Sequence, residues 1–239
     1  MRYRAEIDGL RALAVVPVIL FHAEFELFSG GFVGVDVFFV ISGYLITTIL
    51  IEDMEDKRFC LVNFYERRAR RILPALAFVT ITTIALGWFL LTPYFYRDLF
   101  QTTTAISIFA SNILLYIKSG YFSAISELKP FLHTWSLAVE EQYYIAFPIL
   151  LAFLWRFGLR TVFFALVFLC ALSLLMSEWT WRADKEANFY LLHTRAWELL
   201  AGSLTAFIIR KQDVRKNNVL ALLGLVAIVF SIFFYDETI

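Results

Sequence analysis

The chain has 239 residues, of which 60% are hydrophobic and only 18% charged, and its mean hydropathy is +0.71. Soluble domains contain about 45–50% apolar residues, so a soluble fold would leave too much apolar surface in water. The formal net charge is +0, which gives no global positive field for nucleic acid. Cys60 and Cys170 lack a disulfide or metal-ligand pattern. We therefore expect an integral membrane protein with no metal site and no nucleic acid partner.

Apolar runs long enough to cross a bilayer follow one another along the chain. A helix of about 20 apolar residues crosses the hydrocarbon core. The pattern predicts an all-α fold, a polytopic transmembrane bundle of seven to eight apolar helices. The first run is interrupted by Asp8 and Arg11 and no small-residue cleavage site follows it, so we expect a retained helix and not a signal peptide. The runs lie at about 7–28, 32–51, 72–92, 101–117, 132–155, 161–177, 189–209 and 218–235.

Basic residues cluster in a few loops, and such loops are normally cytoplasmic. The clusters are Arg2 and Arg4; Lys57, Arg58, Arg67, Arg68, Arg70 and Arg71; Arg156 and Arg160; and Arg210, Lys211, Arg215 and Lys216. If every run crossed, the last two clusters would lie outside. We therefore predict a cytoplasmic N-terminus and seven crossings, with the Thr-rich run 101–117 as the one that does not cross. Segments 118–131 and 178–188 are then expected on the outer side.

Two ionisable residues, Arg11 and His22, lie in the first run, where charge costs roughly 3 kcal/mol. On a helix they share one face to within about 20° but lie about 16 Å apart along the axis. Arg11 suits an anionic ligand arriving from the cytoplasm, or a pairing with Asp8. His22 suits a general base acting on an alcohol, because an imidazole accepts a proton near neutral pH. A histidine that hydrogen-bonds neighbouring helices is the structural alternative.

The second run contains Asp36 and, further along, Ser42 beside Gly43. A carboxylate in apolar surroundings requires a partner. A short turn at about 28–31 joins the first two runs, which places Asp36 at a depth comparable to that of His22. Asp36 therefore either orients the imidazole or makes an interhelical hydrogen bond at a glycine-lined contact.

A basic segment at residues 63–74 precedes the third run, and we expect an amphipathic lead into that span with Pro74 in its first helical turn. Its arginines bind either lipid headgroups or a phosphate-rich soluble ligand. They are Arg67, Arg68, Arg70 and Arg71.

A polar stripe opens the run at 132–155. His133, Ser136, Glu140 and Tyr144 fall on one helical face. A Ser-His-Glu triad is disfavoured, because neighbours on one helix do not give nucleophile geometry and no nucleophile elbow is present. We expect instead the wall of a polar cavity for a hydroxylated substrate, with Trp135 and Tyr144 stacking on a sugar.

In the seventh run, Arg195 and Glu198 have the spacing of an internal ion pair that lines the same cavity. Structural cross-linking of helices explains the pair equally well.

Five blocks in order over nearly the whole chain resemble the integral-membrane acyltransferase family 3, the family of O-antigen and peptidoglycan O-acetylases. In that family the arginine and histidine of the first block are functionally required. The resemblance implies transfer of an acyl group, commonly acetyl from cytoplasmic acetyl-CoA, to a sugar hydroxyl presented outside. The blocks are Arg11-x10-His22 after Ile7-Asp-Gly-Leu-Arg-Ala, Gly34-Val-Asp-Val-Phe-Phe-Val-Ile-Ser-Gly43, Arg67-Arg-Ala-Arg-Arg-Ile-Leu-Pro74, Trp135-Ser-Leu-Ala-Val-Glu-Glu-Gln-Tyr143 and Arg195-Ala-Trp-Glu-Leu-Leu-Ala-Gly202.

With this resemblance, the polar residues take roles in an O-acyltransferase. His22 deprotonates the acceptor or carries the acyl group, and Asp36 fixes its tautomer. The donor, acyl-CoA, binds at Arg11, Arg67, Arg68, Arg70 and Arg71, and no permanently bound cofactor is expected. The acceptor glycan binds at Ser42, Trp135, Ser136, Glu140, Glu141, Tyr144, Arg195 and Glu198.

Family members usually have about ten spans, and many add an extracytoplasmic hydrolase-like domain. The resemblance therefore predicts that 1–239 is a truncated acyltransferase 3 domain without a soluble domain, in the cytoplasmic (inner) membrane of a bacterium and in contact with its lipids. A multi-pass transporter is the runner-up, although the sequence shows neither repeat symmetry nor paired broken helices. An acyl conduit that serves a separate transferase is the third interpretation.

Overall fold

A computed structural model describes residues 4–119, 129–211 and 217–235, and every regular element in these ranges is helical. The all-α prediction is confirmed. Most of the predicted outer segment 118–131 lies outside the described residues, as do Arg2, Arg215, Lys216 and the side chain of Lys211.

The described helices overlap the predicted apolar runs, although some bounds differ and two runs are interrupted. Within the described ranges, α2, α3, α6 and α7 are long and apolar enough to cross a membrane, and α10 is a shorter apolar helix. A short 3₁₀ helix, Glu26–Phe28, lies between α1 and α2. The helices are α1 (Ala5–His22), α2 (Val33–Glu55), α3 (Leu61–Leu90), α4 (Pro93–Ser107), α5 (Ser111–Lys118), α6 (Thr134–Trp155), α7 (Leu159–Ala183), α8 (Lys185–Tyr190), α9 (Leu192–Lys211) and α10 (Asn218–Phe234).

The chain divides into two compact units. The first comprises residues 1–52, 163–171 and 197–239, and the second comprises 53–162 and 172–196. The first unit therefore contains α1, most of α2 and α10, and the second contains α3 to α6 and α8.

In the first unit, glycines bring the backbones of α2 and α9 into direct contact. A Cβ on Gly43 would collide with the carbonyl of Leu199, and a Cβ on Gly202 would collide with that of Val40. One turn further along, the Thr47 hydroxyl donates to Ser203 Oγ over 2.7 Å, and both residues are fully buried. Small residues that permit close backbone approach are typical of helix pairs in membranes.

In the second unit, the run 101–117 is interrupted at residues 108–110, where Phe109 has φ +53°. The Gln142 amide donates to the carbonyl of Phe109 and to Asn112 Oδ1, each over 2.8 Å. The Asn112 amide in turn donates to the carbonyl of Tyr190 over 3.0 Å. This run is therefore not one continuous helix, and its failure to cross the membrane stays a prediction.

Tyr190 marks a second interruption, because the run 189–209 breaks at Leu191 between α8 and α9. The described structure thus has two broken helices joined by Asn112, and the conclusion from sequence that paired breaks are absent is wrong. Breaks in apolar helices are tolerated where protein groups satisfy the freed backbone, which the Gln142 amide does at the first break and the Asn112 amide at the second.

The placement of Pro74 in a first helical turn is also wrong. α3 begins at Leu61, so Pro74 lies well inside it. The basic segment is itself helical and continues into the apolar part without a break. The helix accepts the proline although the carbonyl of Arg70 loses its usual donor, and such prolines are tolerated in membrane helices.

Asp184 begins α8 and fastens α5 to the end of α7. Its carboxylate accepts hydrogen bonds from the Ala187 N–H over 2.9 Å and from the Tyr116 hydroxyl over 2.8 Å. These two donors hold the pKa of Asp184 below its usual range. The same hydrogen bond and the negative charge raise the pKa of Tyr116.

We expect Gly202→Ala to destabilise the protein by about 1–3 kcal/mol, because the added methyl meets the backbone of α2 and the helices must separate. The matched control is Gly224→Ala in α10, where a Cβ meets no atom of the described structure within 4 Å. Thermal unfolding in detergent measures both. The close contact would be refuted if Gly202→Ala melted at or above the temperature of Gly224→Ala.

Candidate functional site

The first element of the site is the end of α1, which stops at His22 instead of continuing to residue 28 as the apolar run predicts. Glu24 follows with φ +58°, a left-handed conformation that ends the helix. His22 is therefore not in mid-helix. It is exposed, at the negative end of the helix dipole.

The imidazole of His22 is held by its own helix. Its Nδ1 lies 2.8 Å from the carbonyl oxygen of Val18, which lies in the last helical turn. Since a carbonyl only accepts, Nδ1 carries the hydrogen, and in the neutral ring the lone pair is on Nε2. The partner of Nδ1 is thus Val18 and not Asp36, and an orienting role for Asp36 stays a prediction.

Glycines set the position of α1 on α2. A Cβ on Gly31 would collide with the backbone of Pro17, and one on Gly34 with the backbone of Ala14. The turn after His22 is fixed as well, because Ser29 Oγ donates to the carbonyl of Tyr235 over 2.7 Å. The imidazole is therefore carried by a helix end that is supported on two sides.

Arg11 lies on the same helix, half-buried. Its guanidinium is 3.6 Å from Asp8 and 5.8 Å from the ring centroid of Phe38 on α2. The first unit also contains Asp36, which is partly buried, and Ser42 and Glu198, which are buried. Their ligand roles stay predictions.

The basic segment of α3 does not present its arginines as one group. Arg67 pairs with Asp53 over 2.8 Å, and Arg70 pairs with Glu66 one turn away over 2.7 Å. Arg71 is exposed. Arg68 alone turns toward α6, where its guanidinium lies 3.8 Å from the ring centroid of Tyr144.

Arg68 thereby joins the polar stripe of α6. The Tyr144 hydroxyl donates to Glu140, and both side chains are buried, as is Glu141. Two buried polar atoms here, Arg68 Nε and Glu141 Oε1, have no hydrogen-bond partner among the residues that the structure describes. Sequence reasoning assigned Arg68 and Glu141 to different ligands and missed that they share a site.

Trp135 packs inside the second unit. Its ring centroid is 4.5 Å from that of Phe189 and 6.0 Å from that of Tyr190, and the Arg195 guanidinium lies 5.7 Å away. Trp135 is only 7% exposed, and one face of Tyr144 is covered by Arg68. The structure thus gives both rings packing contacts, and their stacking on a sugar stays a prediction.

The remaining predicted residues of α6 and α9 are more dispersed. The Ser136 hydroxyl donates to the carbonyl of His133 over 3.2 Å within its own helix, which leaves it engaged locally. Arg195 belongs to the second unit and Glu198 to the first, so their pairing stays a prediction. Within the described ranges, no group of three or more His, Cys, Asp or Glu side chains could hold a metal ion.

Comparison with known proteins decides the family. A family model described as an acyltransferase domain matches residues 4–239. The chain belongs to the acyltransferase 3 family. No solved structure matches the chain.

Two curated O-acetyltransferases are similar to this chain over most of its length. The chain is 36% identical over 231 residues to the O-acetyltransferase OatA of Staphylococcus aureus. The aligned region covers 92% of this chain and 38% of that protein. The chain is 37% identical over 216 residues to the peptidoglycan O-acetyltransferase OatA of Listeria monocytogenes, with 87% and 34% covered. The chain therefore spans little more than a third of the length of these relatives.

The two interpretations of Arg11 predict different effects of removing its neighbour. If Arg11 serves a ligand, Arg11→Gln lowers acyl transfer about 10–100-fold, the loss of a charge-assisted hydrogen bond. Asp8→Asn then changes transfer little, because the Asp8 side chain is 50% exposed and such pairs contribute little. The measurement is O-acetylation by cells that produce each variant of the complete protein. Equal losses in the two variants would show that Arg11 acts only as the partner of Asp8.

Proposed function

We propose that the protein is a membrane O-acyltransferase that moves an acetyl group from cytoplasmic acetyl-CoA to a hydroxyl of a cell-surface glycan. The observation that carries the proposal is the exposed His22 at the end of α1, with Nδ1 engaged by the carbonyl of Val18. Membership in the acyltransferase 3 family supports it. The relative from Listeria, named for peptidoglycan O-acetylation, favours an amino-sugar polymer as the acceptor.

In the proposed reaction, Nε2 of His22 takes the proton of the acceptor hydroxyl as its oxygen attacks the thioester carbonyl. A C–O bond forms, the C–S bond breaks, and the proton passes from the imidazolium to the departing thiolate. In a two-step form, Nε2 attacks the thioester first, so that a C–N bond forms and the C–S bond breaks to release the thiolate. The hydroxyl oxygen then attacks the acyl group, the C–N bond breaks, and the hydroxyl proton passes to the thiolate by way of the freed imidazole. In both forms the imidazolium gains stability from the Val18 carbonyl and the helix dipole, and Asp36 is the proposed further source of negative charge.

The donor is proposed to be recognised by positive charge. Arg11, Arg67, Arg68, Arg70 and Arg71 supply guanidinium groups of the kind that bind phosphates. Arg71 is the most available of these, since it is exposed, whereas Arg67 and Arg70 already have carboxylate partners and Arg68 is stacked on Tyr144. The proposed location is the bacterial cytoplasmic membrane with the N-terminus inside, where acetyl-CoA is present.

A transporter is the second candidate, and the two broken helices joined by Asn112 favour it, because discontinuous helices build substrate sites in transporters. Substrate-dependent proton flux through reconstituted protein, without acyl transfer, would support this alternative.

His22→Ala is expected to lower O-acetylation about 10²–10⁴-fold, the usual contribution of a general base. The protein should still insert and fold, because the ring is exposed and its hydrogen bond lies within its own helix. The matched control is His193→Ala, which removes another exposed imidazole. The assay uses cells or membranes with the complete protein and radiolabelled acetyl-CoA. Undiminished acetylation by His22→Ala would refute the catalytic assignment.

A further inference from the structure

Two buried polar atoms in the second unit require an explanation. Arg68 Nε and Glu141 Oε1 are shielded from solvent, and neither has a hydrogen-bond partner among the residues that the structure describes. Leaving such a group unpaired in an apolar interior costs more than most single interactions supply. Glu141 is only 6% exposed, so open solvent does not satisfy its carboxylate.

The two atoms belong to one site. Arg68 from α3 lies over Tyr144 of α6, and Glu141 is one turn before Tyr144 on that helix, a spacing that makes the two side chains neighbours. The charge of Arg68 acts electrostatically on the Glu141 carboxylate. One unpaired donor on α3 and one unpaired acceptor on α6 are therefore close enough to interact electrostatically.

The orientation of Arg68 is fixed by protein groups. Its planar guanidinium stacks on the Tyr144 ring, and the Tyr144 hydroxyl is anchored on Glu140. Close by, the Tyr65 hydroxyl of α3 donates to the carbonyl of Ile145 on α6 over 2.8 Å, which ties the two helices together. Tyr144 and Glu140 are thus positioning residues for Arg68, and the unpaired edge of the guanidinium is held ready for an acceptor.

We propose that Arg68 and Glu141 bind a secondary amide of a substrate, Arg68 donating to its carbonyl oxygen and Glu141 accepting from its N–H. A trans amide presents its acceptor and its donor on opposite sides, as two groups on two facing helices require. Phosphate does not fit the site as a whole, because a phosphate group presents acceptor oxygens and offers no N–H to Glu141.

This inference rests on the proposed function, and that function offers two sources of a secondary amide. The pantetheine arm of acyl-CoA contains amides, and so does the N-acetyl group of an amino-sugar acceptor. The experiment distinguishes them by removing the amide from each ligand in turn.

The test measures equilibrium binding to the purified complete protein in nanodiscs. The ligand pairs are coenzyme A with an analogue whose pantetheine amides are esters, and a chitooligosaccharide with its de-N-acetylated form. The variants are wild type, Glu141→Leu, Glu141→Gln and, as a matched control, Glu178→Leu, an exposed position on α7. Gel filtration and melting temperature establish that each variant is folded.

We expect Glu141→Leu to weaken binding of one amide-bearing ligand about 10–100-fold, the effect of losing a hydrogen bond to a charged group. Binding of its amide-free partner should not change. Glu141→Gln, which keeps an acceptor oxygen, should restore part of the affinity, and Glu178→Leu should bind as wild type does. Loss confined to coenzyme A assigns the site to the donor, and loss confined to the chitooligosaccharide assigns it to the acceptor.

The proposal is overturned if Glu141→Leu weakens neither ligand, or weakens amide-bearing and amide-free forms equally. Either result would mean that ordered water or packing alone satisfies the two atoms. Acetyl transfer by the same wild-type preparation is measured separately. A protein that binds the amide as predicted but transfers nothing would contradict the proposed function and leave this site standing.

Discussion

The account depends on one hydrogen bond, from Nδ1–H of His22 to the carbonyl of Val18. It forms where α1 ends, because His22 is the last residue of that helix. It also decides which ring nitrogen holds the proton, and it leaves Nε2 as the basic atom. A histidine in mid-helix within lipid would have served to bridge helices. At an exposed helix end, supported by glycine contacts with α2, the same residue becomes a group that can exchange a proton with a ligand.

The rest of the described structure follows the requirement that polar groups in an apolar protein be satisfied internally. In the first unit, glycines bring backbones together, and Thr47 and Ser203 bond to each other. In the second unit, Gln142 and Asn112 satisfy carbonyls at both helix breaks. Against this background, the unpaired atoms of Arg68 and Glu141 stand out as groups that a ligand would complete. Both proposals therefore start from the hydrogen-bond partners of polar side chains. One starts from the carbonyl that engages His22 Nδ1, and the other from the unpaired atoms of Arg68 and Glu141.

Much of the fold was predictable, because hydropathy alone places membrane helices, and the run at 101–117 was polar enough to be singled out. The interruption at Leu191 was not predictable, since it occurs in a run with no proline or glycine nearby and depends on tertiary contacts of Tyr190. The predicted position of Pro74 was wrong because a proline usually lies in the first turn of a helix, whereas α3 continues through this one. In the site, the ionisable residues were recognisable from their cost in lipid. Their partners were not, because the pairing of Arg68 with Tyr144 joins residues distant in sequence.

The most direct test of the central claim is the tautomer of the neutral His22 ring. It is measured by NMR on protein that is labelled with ¹⁵N-histidine and embedded in lipid. The His22 signals are assigned by their absence in His22→Gln. At a pH where the ring is neutral, the account predicts hydrogen on Nδ1 and an unprotonated Nε2. A neutral ring with its hydrogen on Nε2 would contradict it, because that tautomer donates nothing to Val18 and has no basic nitrogen facing a substrate.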